Sequence, residues 1–222
     1  RGMRDGRQAA WGALAVIVGL AVLSPHPQLL QYMLLTSGAF ALWLALSPTA
    51  LNGDAGSRVA TAPAAAPTAP KQWPRLGLAL AAVLLGGAMG AIQYLPVREY
   101  VPWSPRAGGK GYDYATSSFP LEETINLYLP QFSGILDNYW GRNGIHFHSE
   151  YVGASVLVLA ALALGGGLLN RHRRHAWFWL GALIVSLFWA WGGNTPFYQL
   201  VYAIVPGSKF FRAPSTILYV VS

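Results

Sequence analysis

Long apolar runs alternate with polar interruptions along the whole chain, and the apolar runs set the expected fold. The runs long enough to be considered as membrane spans are Ala9–Leu23, Leu29–Leu46, Leu76–Leu95, Val152–Leu169 and Trp177–Trp191, and another begins at Pro214. Such runs approach the roughly 20 apolar residues that a helix needs to cross a bilayer. The pattern predicts an all-α fold, a polytopic transmembrane bundle of five full spans plus the start of a sixth.

The polar interruptions divide the chain into three regions. Residues 1–47 predict a transmembrane helical hairpin with Pro25 and Pro27 in its turn. Residues 48–72 include TAPAAAPTAP, which cannot build a core and predicts a Pro/Ala-rich cytoplasmic linker. Residues 73–222 predict the main bundle, with an outer loop at 97–151 and an interfacial helix at 196–205 that is too short to cross.

Two glycines in the third apolar run, Gly86 and Gly90, lie four positions apart. Small residues at this spacing occupy one face of a helix and allow another helix to approach closely. The spacing predicts a close helix contact, and the sequence does not identify the partner.

Composition supports a membrane protein. The chain is 54% hydrophobic and 10% charged, against roughly 25% charged residues in soluble domains. Its net charge of +7 falls in short clusters beside apolar runs, so we predict membrane lipid as a partner and no nucleic acid. The absence of cysteine excludes disulfides, thiolate nucleophiles and Cys-ligated metal sites.

The basic clusters also predict an orientation. They are Arg1/Arg4/Arg7, Arg58/Lys71/Arg75 and Arg171/Arg173/Arg174. All three fall on one side of the predicted bundle if the amino terminus is cytoplasmic, as the positive-inside tendency requires. We therefore expect a bacterial inner-membrane protein whose 97–151 and 192–213 segments face outward.

Acidic residues in the outer loop are candidate catalytic groups. Glu122 and Glu123 follow Pro120, a pattern typical of a helix first turn, where carboxylates face the positive end of the helix dipole. Two interpretations stay open: both glutamates stabilise the helix start, or one does so while the other faces a site.

His146, His148 and Glu150 alternate in HFHSE, so in an extended segment their side chains leave from one face. Two imidazoles and a carboxylate suit substrate binding or proton transfer, with Glu150 as a third catalytic candidate. We predict no metal and no cofactor, with a divalent cation at this set and plain interfacial hydrogen bonding as the alternatives.

Three outward cations lie next to aromatic residues: Arg142 follows Tyr139-Trp140-Gly141, and Lys209 and Arg212 belong to SKFFRAP. A lipid phosphate or pyrophosphate suits such positions, because arginine binds it with paired hydrogen bonds and lysine as a point charge. Ordinary headgroup anchoring is the alternative.

The carboxyl-terminal half resembles a known family. The order SSFPLEETINLYLPQFSG, YWG, EYVG, an apolar run, a basic turn and GGNTPFYQLVYAIVPGSKFFRAPS resembles the middle of the bacterial YfhO-type membrane proteins. The resemblance covers Tyr112 to Ser222, and NTPFY-to-PG and FRAPS are its most specific parts. By motif, Glu122 and Glu123 match the acidic pair, Glu150 the glutamate of EYVG and Arg212 the arginine of FRAP.

The resemblance implies a protein similar to GT-C glycosyltransferases. Such a protein transfers a sugar from a polyprenyl-phosphate carrier to a cell-envelope acceptor on the outer face. Because the chain begins at Arg1 and stops within an apolar run, we expect a segment of a longer protein, inactive alone, whose main catalytic acid lies upstream. The alternatives are a lipid or glycolipid transporter or flippase, and a non-catalytic envelope assembly protein.

Overall fold

A computed structural model of the chain describes residues 2–46, 72–104, 107, 111–112, 119–142, 151–169, 173–211 and 213–220. The chain divides into two compact units, Arg1–Tyr100 and Val101–Ser222. Regular structure in the described residues consists of helices alone.

The described residues of the amino-terminal unit form five helices. They are α1 (Gly2–Asp5), α2 (Ala9–Val22), α3 (Pro27–Leu46), α4 (Gln72–Met89) and α5 (Ala91–Tyr100). Helices α2 and α3 are joined through the predicted proline-containing turn, and α2 packs chiefly on α4. The Arg75 guanidinium on α4 donates a hydrogen bond of 2.8 Å to the Met3 carbonyl, which ties α1 to the start of α4.

Glycine makes the contact between α2 and α4 close. A Cβ at Gly86 would lie 2.5 Å from the Ala15 carbonyl oxygen and 2.7 Å from Val18 Cβ, and a Cβ at Gly90 would collide with Val22. On α2, Gly19 faces the Gly86 carbonyl oxygen. The predicted close contact of Gly86 and Gly90 is confirmed, and its partner is α2.

The carboxyl-terminal unit contains α6 (Ala154–Leu169), α7 (Arg173–Ala190) and α8 (Phe197–Ile204). The described residues of this unit also form short 3₁₀ helices: Val101–Trp103, Leu121–Leu127, Leu136–Asn138, Gly192–Asn194, Ser208–Phe210 and Pro214–Val220. Helices α6 and α7 pack on each other as a hairpin, and the Pro214–Val220 helix packs on α7.

The predicted number of membrane spans is wrong. Among the described residues, a single helix, Pro27–Leu46, is long and apolar enough to cross a membrane. The count rises to two if Gln72–Met89 and Ala91–Trp103, which are bent by 64°, form one span.

The other predicted spans lack the length or the apolar composition needed to cross a membrane. Helix α2 has 14 residues and α6 has 16, fewer than the roughly 20 that span a bilayer. The 18-residue α7 begins at Arg173, so basic residues occupy its first turn. The expected sixth span is a 3₁₀ helix of seven residues.

The predicted regions and the compact units differ at one boundary. The predicted hairpin at 1–47 corresponds to α2 and α3. Of the predicted linker at 48–72, residues 48–71 lie outside the described residues and Gln72 begins α4. Helices α4 and α5 belong to the unit that ends at Tyr100, whereas the sequence grouped them with 73–222. The interfacial helix at 196–205 corresponds to α8.

Candidate functional site

The 3₁₀ helix Leu121–Leu127 carries the predicted acidic pair. It begins after Pro120, whose extended backbone turns the chain into the helix, and the Glu123 amide donates to the Pro120 carbonyl at 3.0 Å. A 3₁₀ helix has about three residues per turn, so the neighbours Glu122 and Glu123 project in different directions. The two glutamates therefore meet different partners.

Glu122 forms an ion pair with Arg142. Its carboxylate accepts hydrogen bonds of 2.8 Å from Arg142 Nε and 2.5 Å from the terminal guanidinium nitrogen. The Arg142 side chain is 79% exposed and that of Glu122 33% exposed. Because water screens such a pair, it fixes the loop position more than it stabilises the fold.

A hydrogen bond with backbone lowers the pKa of Glu122, and the Arg142 guanidinium lowers it further, below the ordinary value of 4.5. A lowered pKa means that the contribution of this carboxylate to stability is present above pH 4.5 and is lost as pH falls through its folded pKa. We expect Arg142→Gln to raise the Glu122 pKa only part of the way to 4.5, because the backbone bond remains. NMR titration of the Glu122 side chain measures this, and an unchanged pKa in Arg142→Gln would contradict the pairing.

Glu123 is buried, with 4% of its surface exposed. The Tyr139 hydroxyl donates a hydrogen bond to its carboxylate. Gly141 packs directly against this pair, since a Cβ there would collide with both the Glu123 carboxylate and the Tyr139 hydroxyl. This carboxylate therefore lies in a packed interior.

Further hydrogen bonds hold the Leu121–Leu127 helix in place. The Asn126 amide donates to the Ser133 hydroxyl at 2.7 Å and accepts from the Ser133 amide at 3.1 Å. Trp191 donates to the Thr124 hydroxyl at 3.0 Å. Sequence reasoning did not identify Tyr139, Asn126 or Ser133, although a polar Asn between apolar neighbours in TINL was a signal that it is held by a partner.

Lys209 lies next to an aromatic ring of α8. Its Nζ sits 5.5 Å from the centre of the Tyr202 ring, within the range of a cation–π interaction. The Ser208 hydroxyl donates to the Val205 carbonyl at 2.9 Å, which holds the turn after α8. Sequence reasoning did not identify Tyr202, and phosphate binding by Lys209 stays a prediction.

Four of the predicted site residues lie outside the described residues: His146, His148, Glu150 and Arg212. Within the described ranges, no group of three or more His, Cys, Asp or Glu side chains is placed to hold a metal ion.

A cavity of about 450 Å³ lies between α6, α7, the end of the Leu121–Leu127 helix and the Pro214–Val220 helix. Its walls are almost entirely apolar. The described lining residues are Leu127, Tyr128, Val152, Val156, Leu157, Ala160, Ala163, Leu164, Gly167, His175, Ala176, Trp179, Ala182, Leu183, Ser186, Leu187, Leu218 and Val220.

The cavity is elongated along the α6–α7 hairpin. Lining positions recur every three or four residues on both helices, from Val156 to Gly167 and from His175 to Leu187. At a rise of about 1.5 Å per residue, these stretches are about 16 to 18 Å long. Gly167 packs against Ala176 where the hairpin closes, so His175 marks one end of the cavity and Tyr128 belongs to the other.

No protein-family model, no curated protein and no solved structure matches the chain. The resemblance to YfhO-type membrane proteins stays a prediction.

Proposed function

We propose that the carboxyl-terminal unit binds the hydrocarbon chain of a membrane lipid. The observation that carries the proposal is the elongated cavity of about 450 Å³ with apolar walls. Water gains few hydrogen bonds from such walls, whereas an apolar chain is favoured by about 25 cal/mol per Å² of surface removed from water. A hydrocarbon chain matches both the chemistry and the shape.

The size of the cavity accommodates a lipid chain. A hydrocarbon chain is about 4 Å across at van der Waals contact, so a 16 Å length fills roughly 200 Å³. One or two chains fit within the walls.

The exposed surface supports a membrane setting. Leu159 and Leu162 on α6 are 65% and 67% exposed, and large apolar residues are exposed on every long helix. Exposed apolar surface on this scale marks an interaction with membrane or protein. We propose the inner membrane of a bacterial cell, with the amino terminus on the cytoplasmic side.

Sugar transfer from a lipid carrier to an envelope glycan is a narrower proposal that needs a reactive carboxylate. Glu122 is paired with Arg142, and Glu123 is buried against Tyr139. The contacts of these two glutamates support a structural role, so transfer depends on residues elsewhere, Glu150 among them. Lipid binding is the part of the hypothesis that the described residues support directly.

Photolabelling tests the proposal. We expect phosphatidylcholine with a diazirine in its acyl chain, reconstituted with the chain in vesicles, to label lining residues of α6 and α7. Ala160→Phe places an aromatic ring in the cavity, whereas Ala161→Phe places the same ring at a position that does not line it. Ala160→Phe should reduce labelling by about tenfold, equivalent to about 1.4 kcal/mol.

The matched variant Ala161→Phe should label as the parent chain does. Equal labelling of both variants, or lining residues that cross-link to a second copy of the chain in place of lipid, would contradict a lipid-filled cavity.

A further inference from the structure

We propose that an exposed apolar patch inserts into the membrane interface at the Tyr128 end of the cavity. The patch consists of Tyr128, Leu129, Phe132, Leu136 and Trp140, and we call it the 128–140 patch. The inference deepens the proposed lipid binding, on which it rests for the ligand of the cavity, because it names the end of the cavity that meets the membrane surface.

All five side chains of the 128–140 patch are large, apolar or aromatic, and exposed. Their exposed fractions are 58% for Tyr128, 56% for Leu129, 40% for Phe132, 52% for Leu136 and 57% for Trp140. Single exposed apolar side chains need no partner, whereas a cluster of them marks a site of interaction with a membrane or a protein. The patch therefore requires an occupant.

Contacts within the loop hold the patch in this exposed arrangement. The rings of Phe132 and Trp140 pack edge to face with their centres 5.6 Å apart, and the Phe132 amide donates to the Leu129 carbonyl at 3.3 Å. The Trp140 amide donates to the Ser133 carbonyl at 3.1 Å, and the Ser133 hydroxyl accepts from the buried Asn126. The exposed side chains thus project from an anchored loop.

The backbone of Leu136 indicates that its side chain serves an interaction. Its φ is +53°, a left-handed conformation that is unusual for a bulky residue and that glycine and asparagine adopt more readily. Backbone geometry alone would favour one of those two residues at this position. Leucine instead adds an exposed apolar side chain at a conformational cost, as strained residues at binding sites do.

The chemistry of the patch fits a membrane interface. Tyrosine and tryptophan are enriched where hydrocarbon meets headgroups, because each joins an apolar ring to one polar group. The Trp140 indole N–H donates to the Phe132 carbonyl at 3.2 Å, so burial of the ring in lipid leaves its one donor paired. Tyr128 belongs to the patch and also lines the cavity, so the two apolar surfaces adjoin.

The area of the patch is small for a stable protein partner. Large side chains cover about 150 to 250 Å² each when fully buried, so five that are about half exposed present on the order of 500 Å². Each partner in a standard protein interface buries about 800 Å². A lipid surface has no such minimum, since each side chain that leaves water contributes in proportion to its apolar area.

Single-cysteine labelling tests the insertion, because the chain has no cysteine of its own. An NBD fluorophore is attached at Leu136→Cys or, as the matched control, at Asp137→Cys, the exposed acidic neighbour outside the patch. The full chain is reconstituted in phosphatidylcholine vesicles. We expect lipid with a doxyl group in its acyl chain to quench the probe at position 136 more strongly, and aqueous iodide to quench the probe at position 137 more strongly.

Two results would overturn the inference. Equal iodide quenching at positions 136 and 137 would place the patch in water. Protection from iodide at position 136 without doxyl quenching would show that protein covers the patch, and a dependence of this protection on the density of chains would identify the cover as a second copy.

Leu136→Asn separates membrane docking from folding. Asparagine suits the left-handed backbone, so exchange of the Trp140 amide should stay as slow as in the parent chain. With the NBD probe moved to Leu129→Cys, the ratio of doxyl to iodide quenching should fall about fivefold, because less apolar area leaves water. Leu121→Asn removes a leucine that is 50% exposed outside the patch and should leave the ratio unchanged. An equal fall in both variants would contradict docking through the patch.

Photolabelling of the α6 and α7 lining in the same vesicles tests the proposed function separately. Absence of lining labels with an inserted probe would overturn the lipid-filled cavity alone. Labelled lining residues with the probe in water would overturn insertion of the patch alone.

Discussion

Gly86→Ala should destabilise the packing of α2 on α4 by about 1 to 3 kcal/mol, the range measured for added methyl groups in close-packed sites. The new Cβ would meet the Ala15 carbonyl oxygen at 2.5 Å and Val18 Cβ at 2.7 Å. Backbone supplies the first of these contacts, so a side-chain rotation cannot relieve it. Hydrogen exchange of the α2 and α4 amides, measured by mass spectrometry in detergent, should accelerate accordingly.

The adjacent glycine provides the control. A Cβ at Gly87 has no neighbour within 4 Å, and alanine is favoured over glycine inside a helix by about 0.5 to 1 kcal/mol. Gly87→Ala should therefore slow exchange or leave it unchanged. Equal acceleration in the two variants would mean that helix contact does not explain the requirement for glycine at position 86.

Gly134→Ala should loosen the loop that follows the acidic helix, at a cost of about 2 to 4 kcal/mol from backbone strain and overlap together. Gly134 has φ of +80°, and its Cβ would collide with the Asn138 carbonyl and lie 3.1 Å from Tyr139 Cα. The same loop positions Tyr139 against Glu123. Faster exchange of the Trp140 amide, which bonds to the Ser133 carbonyl at 3.1 Å, reports the loosening.

Gly111→Ala is the comparison, since its Cβ would meet nothing within 4 Å and its φ lies outside the left-handed region. Its Trp140 exchange rate should match that of the unmodified chain. Unchanged exchange in Gly134→Ala would show that alanine is accommodated at this turn.

Local sequence predicted the helices better than their lengths. Apolar runs marked α2, α3, α4, α6 and α7 because burial in any apolar medium selects the same residues. Hydropathy does not specify the residue at which the backbone hydrogen bonds of a helix end. Helix α4 ends near Gly90 after 18 residues, and α7 includes the basic residues Arg173 and Arg174, so apolar length overstated the number of spans.

The sequence predicted the acidic residues of the site and did not predict their partners. Position after Pro120 identified Glu122 and Glu123, but their partners Arg142 and Tyr139 lie 20 and 16 residues away. Nothing in a single sequence pairs residues at that separation. The cavity was not predicted, because several packed elements form it. Its lining residues recur along the helices in the same way as those of an ordinary apolar face.

The bend after α4 and the close approach of α2 depend on the same residue. Gly90 continues the hydrogen bonding across the bend, through its amide to Gly86 and its carbonyl to Gln93 and Tyr94, and it has no room for a Cβ beside Val22. The spacing between α2 and α4 and the bend between α4 and α5 therefore both depend on position 90. A larger residue at position 90 that favoured a continuous, straight helix from α4 to α5 would also push α2 away from α4. A substitution at position 90 therefore changes the bend and the helix spacing together.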